Sequence, residues 1–224
     1  MIRKLEWDSN FFEIAIGELS CKENIDCSID VFDLICFKCH SDSDIKIDGF
    51  EALFDEVKVT YKKTITAGNS QERCIASFDD SKHDIVAIRE LAYESGKHSR
   101  FNLDKNFKPQ KFRDLYDKWV ENSINNTFAD AILVYHDEGS SMGFATYKIH
   151  GQSATMGLLA VSPNFQRRGI GQKLLAYVEE KLSKKGITEI LIPTQQVNIQ
   201  ACNFYEKQGY KVSELTYIKH YWKK

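Results

Sequence analysis

Proline and glycine are scarce in the first third of this chain. Of three prolines in 224 residues none falls within positions 1–78, so no linker announces itself there. Long apolar runs are missing as well. None approaches the roughly 20 residues that span a bilayer, so no membrane partner is expected. The opening MIRKLEWDSN is basic without an apolar stretch behind it, which leaves a secretory signal without support and makes the cytoplasm the expected location. Charge of one sign is also lacking. Thirty Lys and Arg stand against 32 Asp and Glu, for a formal net charge of -2, which gives no electrostatic reason to expect nucleic acid. There is no internal repeat and no low-complexity segment. Paired metal ligands are absent. Cys36-Phe-Lys-Cys39-His40 has the C-x-x-C-H spacing of haem attachment, but it closes an apolar run, Val31–Cys39, that reads as a buried strand. No second ligand pair accompanies it, so no metal is expected. Cys21, Cys27, Cys36, Cys39, Cys74 and Cys202 read as reduced thiols.

What is present describes a soluble globular protein: 42% apolar and 28% charged residues with both signs mixed. The length suits one large domain or two modest ones. Asp79-Asp80-Ser81 is the best boundary, with Asp80 or Ser81 able to cap the next helix. It divides a smaller N-terminal domain, 1–80, from a larger one, 81–224. The first is expected to hold strands at Ile14–Cys21, Val31–Cys39 and Val57–Ala67, with a helical stretch near Ser41–Phe54. In the second, apolar spacing predicts helices at Ile85–Ser95 and Phe112–Ile124, then a hairpin of Ala131–Tyr135 with Gly143–His150, and a long strand at Ala154–Val161. A helix over Gly171–Lys185, a strand at Glu189–Pro193, a helix over Ile199–Gln208 and one or two strands within Tyr210–Trp222 complete it. The fold class is α/β, a mixed sheet flanked by helices.

The segment Leu159-Ala160-Val161-Ser-Pro-Asn-Phe-Gln166-Arg167-Arg168-Gly169-Ile170-Gly171-Gln172 runs from a strand through a turn into a helix. Gly169 and Gly171 let backbone approach a ligand closely. The first N–H groups of the helix have no internal partners, and the helix dipole adds positive charge. A diphosphate fits such a place, and Arg167 and Arg168 can add charged bonds. The dinucleotide fingerprint does not apply, because Leu174 fills its third glycine position. Gln166-Arg-Arg-Gly169-Ile-Gly171 instead resembles the Q/R-x-x-G-x-G/A signature of the GNAT acetyltransferases. Some 30 residues on, Asn198-Ile-Gln-Ala201-Cys-Asn-Phe204-Tyr205-Glu206-Lys207-Gln-Gly209 is similar to that family's N-x-x-A-x-x-F-Y-x-K-x-G motif.

The resemblance implies the GNAT acyl-CoA N-acyltransferase fold, with acetyl-CoA as co-substrate and a primary amine as acceptor. It implies that the signature holds the pyrophosphate of coenzyme A, and that Asn198 bonds the pantetheine chain with Lys207 close by. It makes Tyr205 the acid that protonates the departing thiolate, a role open to a phenol. It places a strand bulge and a freed N–H for the thioester oxygen at Leu159–Val161. It also implies a V-shaped gap between the strands at 154–161 and 189–193.

Two further segments resemble the TDP-fucosamine acetyltransferase branch of the family. They are Leu5-Glu-Trp7-Asp8-Ser-Asn10-Phe11-Phe12 and His98-Ser-Arg100-Phe101-Asn-Leu-Asp104-Lys-Asn-Phe107. The likeness implies an amino-sugar nucleotide as acceptor, a dTDP-linked 4-amino-4,6-dideoxyhexose. His98 and Arg100 suit its diphosphate, and Phe101 and Phe107 its base. A plain packing role is equally open to these residues, with the rings under the loop and Arg100 against a local carboxylate. That branch would carry a basic residue where Phe204 stands. Another amine (a peptide N-terminus, a lysine, a polyamine or an aminoglycoside) remains the alternative acceptor. A homodimer is compatible with all of this.

Overall fold

The structure is a computed structural model that describes residues 2–20, 29–66 and 72–224. Cys21, Cys27 and Ala67 lie outside them. The strands are β1 (Arg3–Lys4), β2 (Ile16–Ser20), β3 (Leu34–Cys39), β4 (Phe50–Thr64), β5 (Ile75–Ser77), β6 (Ala131–Asp137), β7 (Ser140–His150), β8 (Ser153–Val161), β9 (Glu189–Gln195) and β10 (Lys211–Lys223). The helices are α1 (Glu6–Phe12), α2 (Ile85–Gly96), α3 (Arg100–Leu103), α4 (Pro109–Ile124), α5 (Ile170–Lys184) and α6 (Ile199–Lys207). Among the described residues one ten-stranded sheet runs in the order β1-β2-β3-β10-β4-β9-β8-β7-β6-β5. Residues on both sides of position 80 supply its strands. β4 lies between β10 and β9, pairing antiparallel with each.

The helical stretch expected at Ser41–Phe54 is not helical: 44–47 are irregular and Phe50 already opens β4. Alternation explains why. Val59 and Tyr61 are buried on one face and Glu56 on the other, the period of a strand. Pairing along both edges then carries β4 to Thr64. The cap of α2 is Asp84, whose side chain accepts from the Val86 N–H at 2.9 Å. It is neither Asp80 nor Ser81; Asp79 instead closes a turn on the Ser81 amide and hydroxyl. α1, and α3 within the 98–107 loop, have no counterpart in the expected order of elements.

Apolar side chains pack on both faces of the sheet. Val59, Tyr61, Ala154, Met156, Leu174, Leu175 and Tyr205 share one cluster, beneath α5 and α6. Leu34, Cys36, Ile88, Leu115, Leu158 and Ala160 share another, beneath α2 and α4. Cys36 and Cys39 are buried strand residues. No helix among the described residues is long and apolar enough to cross a membrane.

Candidate active site

A regular strand keeps residues i and i+2 on one face, yet Ala154 and Met156 face α5 while Leu158 and Ala160 face α2 and α4. The switch is a β-bulge. Ala145 opposes Leu159 but Tyr147 opposes Met156, so β8 carries one residue more than β7 across this interval. The bulge therefore sits at Gly157–Leu158, two residues before the expected 159–161. Glycine suits it, because a Cβ at 157 would lie 2.8 Å from Thr146 Oγ1. That same hydroxyl oxygen accepts the Leu158 N–H at 2.8 Å.

Beyond the bulge the sheet opens. β8 and β9 pair in parallel only at Ser153–Glu189, Ala154–Ile190 and Thr155–Leu191, while β8 continues to Val161 and β9 to Gln195. Ser162 N–H donates to Met142 O at 2.9 Å. Because bonding direction alternates along an antiparallel pair, Ala160 also turns to β7, and the backbones of Leu159 and Val161 turn into the wedge. Gln166 Nε2 donates to Val161 O at 3.1 Å, and its Oε1 accepts from Gln200 Nε2 at 3.3 Å. Gln166 thus ties the end of β8 to α6.

The turn at the mouth of the wedge has Arg167 at φ 62° and Gly169 at φ 79°, the left-handed region that favours glycine. Lys173 N–H makes a helical bond to Gly169 O at 3.0 Å, so the N–H groups of Ile170, Gly171 and Gln172 precede the helical ladder. Arg167 and Arg168 are exposed, with the Arg168 guanidinium 5.2 Å from the Phe165 ring centre. A Cβ on Gly171 would meet Phe204 at 3.5 Å and Val161 at 3.7 Å. Turn, strand end and α6 therefore converge at one point.

Asn198 caps α6, its side chain accepting from Ala201 N–H at 3.2 Å. Tyr205 is buried, with ring centres at 5.7 Å from Tyr61, 5.4 Å from Phe204 and 6.2 Å from Tyr210. Burial, then the nearby Cys202, push the Tyr205 phenol above its ordinary pKa. Tyr61, which sequence reasoning overlooked, donates its hydroxyl to Glu206 Oε1 at 2.9 Å, fixing α6 next to Tyr205. No local motif marks it, because the pair spans 145 residues. Lys207 is exposed on α6.

The 98–107 segment packs on the opposite face. Arg100 Nη1 donates to Glu56 Oε1 at 3.0 Å, with only 4% of the Glu56 side chain exposed. Phe101 stacks on Phe12 at 5.3 Å, and Phe107 is buried against Phe12, His220 and Trp222. This is the packing arrangement, with the rings under the loop and Arg100 on a carboxylate. His98 is half-buried, and burial followed by Lys97 lowers its pKa. Asp8, Cys36, Lys38, Arg100, Phe101 and His220 line a narrow cleft there.

A bulged strand, a wedge in the sheet and a glycine turn opening a helix define an acyltransferase scaffold. The Acetyltransferase (GNAT) family model matches residues 87–210, and the chain belongs to this family of N-acetyltransferases. It is 27% identical over 139 residues to the spore coat polysaccharide biosynthesis protein SpsD of Bacillus subtilis (strain 168), covering 62% of this chain and 48% of that one. The chain thus spans about half the length of that relative. It is 26% identical over 106 residues to the [ribosomal protein bS18]-alanine N-acetyltransferase of Escherichia coli (strain K12), covering 46% and 70%. Among solved structures, a GNAT-family acetyltransferase from Novosphingobium aromaticivorans DSM 12444 superposes with a TM-score of 0.58 at 12% identity, covering 86% of this chain and 75% of that one. The PaiA N-acetyltransferase of Thermoplasma acidophilum, solved with coenzyme A, does so with a TM-score of 0.52 at 24% identity, covering 65% and 96%.

Proposed function

We propose that this enzyme transfers the acetyl group of acetyl-CoA to the amine of a nucleotide-linked amino sugar, a dTDP-4-amino-4,6-dideoxyhexose. The wedge between β8 and β9, walled by the Leu159 and Val161 backbones and flanked by the helix of Tyr205, carries the reading. Acetyl-CoA supplies the acetyl group as a thioester. The N–H groups of Ile170, Gly171 and Gln172 receive its pyrophosphate, with Arg167 and Arg168 beside them. Leu159 and Val161 offer backbone bonds to the pantetheine arm as an added strand would, and Asn198 and Lys207 stand along it. A free N–H from this stretch is suited to the thioester oxygen, where such a donor contributes about 3 kcal/mol. The acceptor's amine nitrogen bonds to the acetyl carbon as the carbon–sulfur bond breaks. Tyr205 gives its hydroxyl proton to the sulfur, the acylated nitrogen releases one proton to solvent, and the Tyr205 phenolate takes one back, so that amide, free thiol and phenol result.

The sugar acceptor is supported by the SpsD relative and by the likeness of residues 5–12 and 98–107 to the TDP-fucosamine branch. The bS18-alanine relative supports a peptide N-terminus as the second acceptor. Incubation with acetyl-CoA and either a dTDP-4-amino-4,6-dideoxyhexose or an alanine-initiated peptide separates the two. Thiol release and a mass gain of one acetyl group are expected with the sugar nucleotide; acetylation of the peptide alone would reverse the assignment.

A further inference from the structure

We propose that Lys58 is the cation that receives a phosphoryl group of the acceptor, and that Arg100 serves instead to hold α3 to β4. The inference rests on the nucleotide-sugar reading of the acceptor.

Strand register lays out the face beneath α3. Cys36, His220 and Phe54 oppose one another across β3, β10 and β4; Lys38, Ile218 and Glu56 form the next row, and Thr216 and Lys58 the next. Opposed residues on paired strands share a face. The seam is lined by buried polar side chains. Among the described residues, the buried side-chain atoms without a hydrogen bond are Glu56 Oε2, Ser99 Oγ and His220 Nε2. Glu56 and His220 lie in these rows, and Ser99 precedes Arg100.

Besides His220, which Asp104 holds, three cations reach this seam among the described residues, and two of the three are committed. Lys38 pairs with Glu18, and Arg100 with Glu56. Glu56 is a buried carboxylate, and removing one partner of such a pair strands the other charge away from water. Arg100 is therefore occupied in the resting protein. Lys58 is in no ion pair among the described residues. Burial, then the facing charge of Lys38, and further the charge of Arg100 lower its pKa, against the opposing pull of Glu214 and Glu56. Lys58 is thus a partly buried ammonium without a direct counter-ion, which is a setting for an anion.

Position agrees. Lys58 opposes Gln195, the last residue of β9, so it flanks the open arm of the wedge one strand spacing, about 4.8 Å, to the side. In a nucleotide-linked amino sugar the phosphates stand across the hexose from the amine. With the amine in the wedge, they fall beside it and not within it. A lysine meets them as a point charge.

Calorimetry with dTDP tests this on the full chain. Lys58→Gln should weaken dTDP binding by about ten- to a hundredfold, the loss expected of one charged bond, while Lys58→Arg keeps most of the affinity. Acetyl-CoA affinity should be unchanged in both, and the KM for the amino-sugar nucleotide should rise in Lys58→Gln with kcat retained. Lys58→Met keeps the apolar stem and repeats the test if the amide disturbs packing. Wild-type dTDP affinity in Lys58→Gln and Lys58→Met would overturn the assignment and leave the acceptor reading standing. No dTDP binding by the wild type, with no acetylation of the sugar nucleotide, would overturn both.

Discussion

Burial decides what Tyr205 offers at neutral pH. A phenol pushed above its ordinary pKa of 10.0 stays protonated at neutral pH, as the acid role proposed for it requires. Tyr205→Phe removes that proton and keeps the ring. General acids contribute about 100- to 10,000-fold, so kcat should fall at least tenfold, by steady-state thiol release, with the KM for acetyl-CoA little changed. Because the shift is upward, Tyr205 should contribute no alkaline limb to the wild-type profile below the ordinary phenol value. An unaltered kcat would make Tyr205 a packing residue. At Gly171 the two neighbours of a Cβ stand at ordinary contact distance, so Gly171→Ala should bind acetyl-CoA nearly as the wild type does. On the proposed placement of the diphosphate at this helix start, the bulkier Gly171→Val should abolish calorimetric binding of acetyl-CoA while the protein stays folded. The backbone features around them were legible in the sequence because they are local: the positive φ of Gly169, the helix that starts after it, and the Asn198 cap. Arg100 was not. Its partner, Glu56, lies 44 residues away, and nothing near Arg100 in the chain announces it.

At the scale of elements, one buried pair fastens the end of α3 to β10. Asp104 Oδ2 bonds His220 Nδ1 at 2.6 Å and accepts from Trp222 Nε1 at 2.9 Å, while its Oδ1 accepts from the Asn106 amides. Burial pushes the His220 imidazolium down, but Asp104 and Cys36 outweigh it, and its pKa ends above the ordinary 6.5. Burial pushes Asp104 up, yet His220, Asn106 and Trp222 leave it below the ordinary 3.8. A raised histidine contributes stability that is complete below its unfolded value and lost as pH climbs through the folded one. A lowered aspartate contributes stability that is lost as pH falls below the ordinary value. The pair is strongest between the two, so its contribution to the melting temperature should fall as pH climbs above the ordinary histidine value of 6.5. His220→Asn should flatten that slope; a wild-type melting temperature rising with pH would refute the assignment. The same scale shows what periodicity misses. Residues 41–54 carry spaced apolar side chains, and only the partner strands settle that Phe50 begins a strand. The bulge at Gly157–Leu158 is likewise fixed from outside, by the Thr146 hydroxyl on the neighbouring strand.

Over the whole molecule, the order of strands departs most from what the chain suggests. The mixed sheet, its helices and both glycine signatures follow from local pattern. That β4 from the first 80 residues sits between β9 and β10 does not, because register over more than a hundred residues leaves no local trace. Residues 81–224 alone would expose one edge of β9 and both edges of β10. Expressed without residues 1–80, that portion should lack a cooperative melt by circular dichroism. A sharp unfolding transition would show that it stands alone. The same strand order sets a timetable for synthesis. β3 pairs with Trp222 and its neighbours, and β4 with the same strand from its other side. Both therefore leave the ribosome well before residues 211–223 exist to join them. At roughly 5–20 residues per second, the nascent chain carries their open edges for on the order of ten seconds. The interval belongs to the path of the backbone through the sheet, and a chaperone would meet this chain during it.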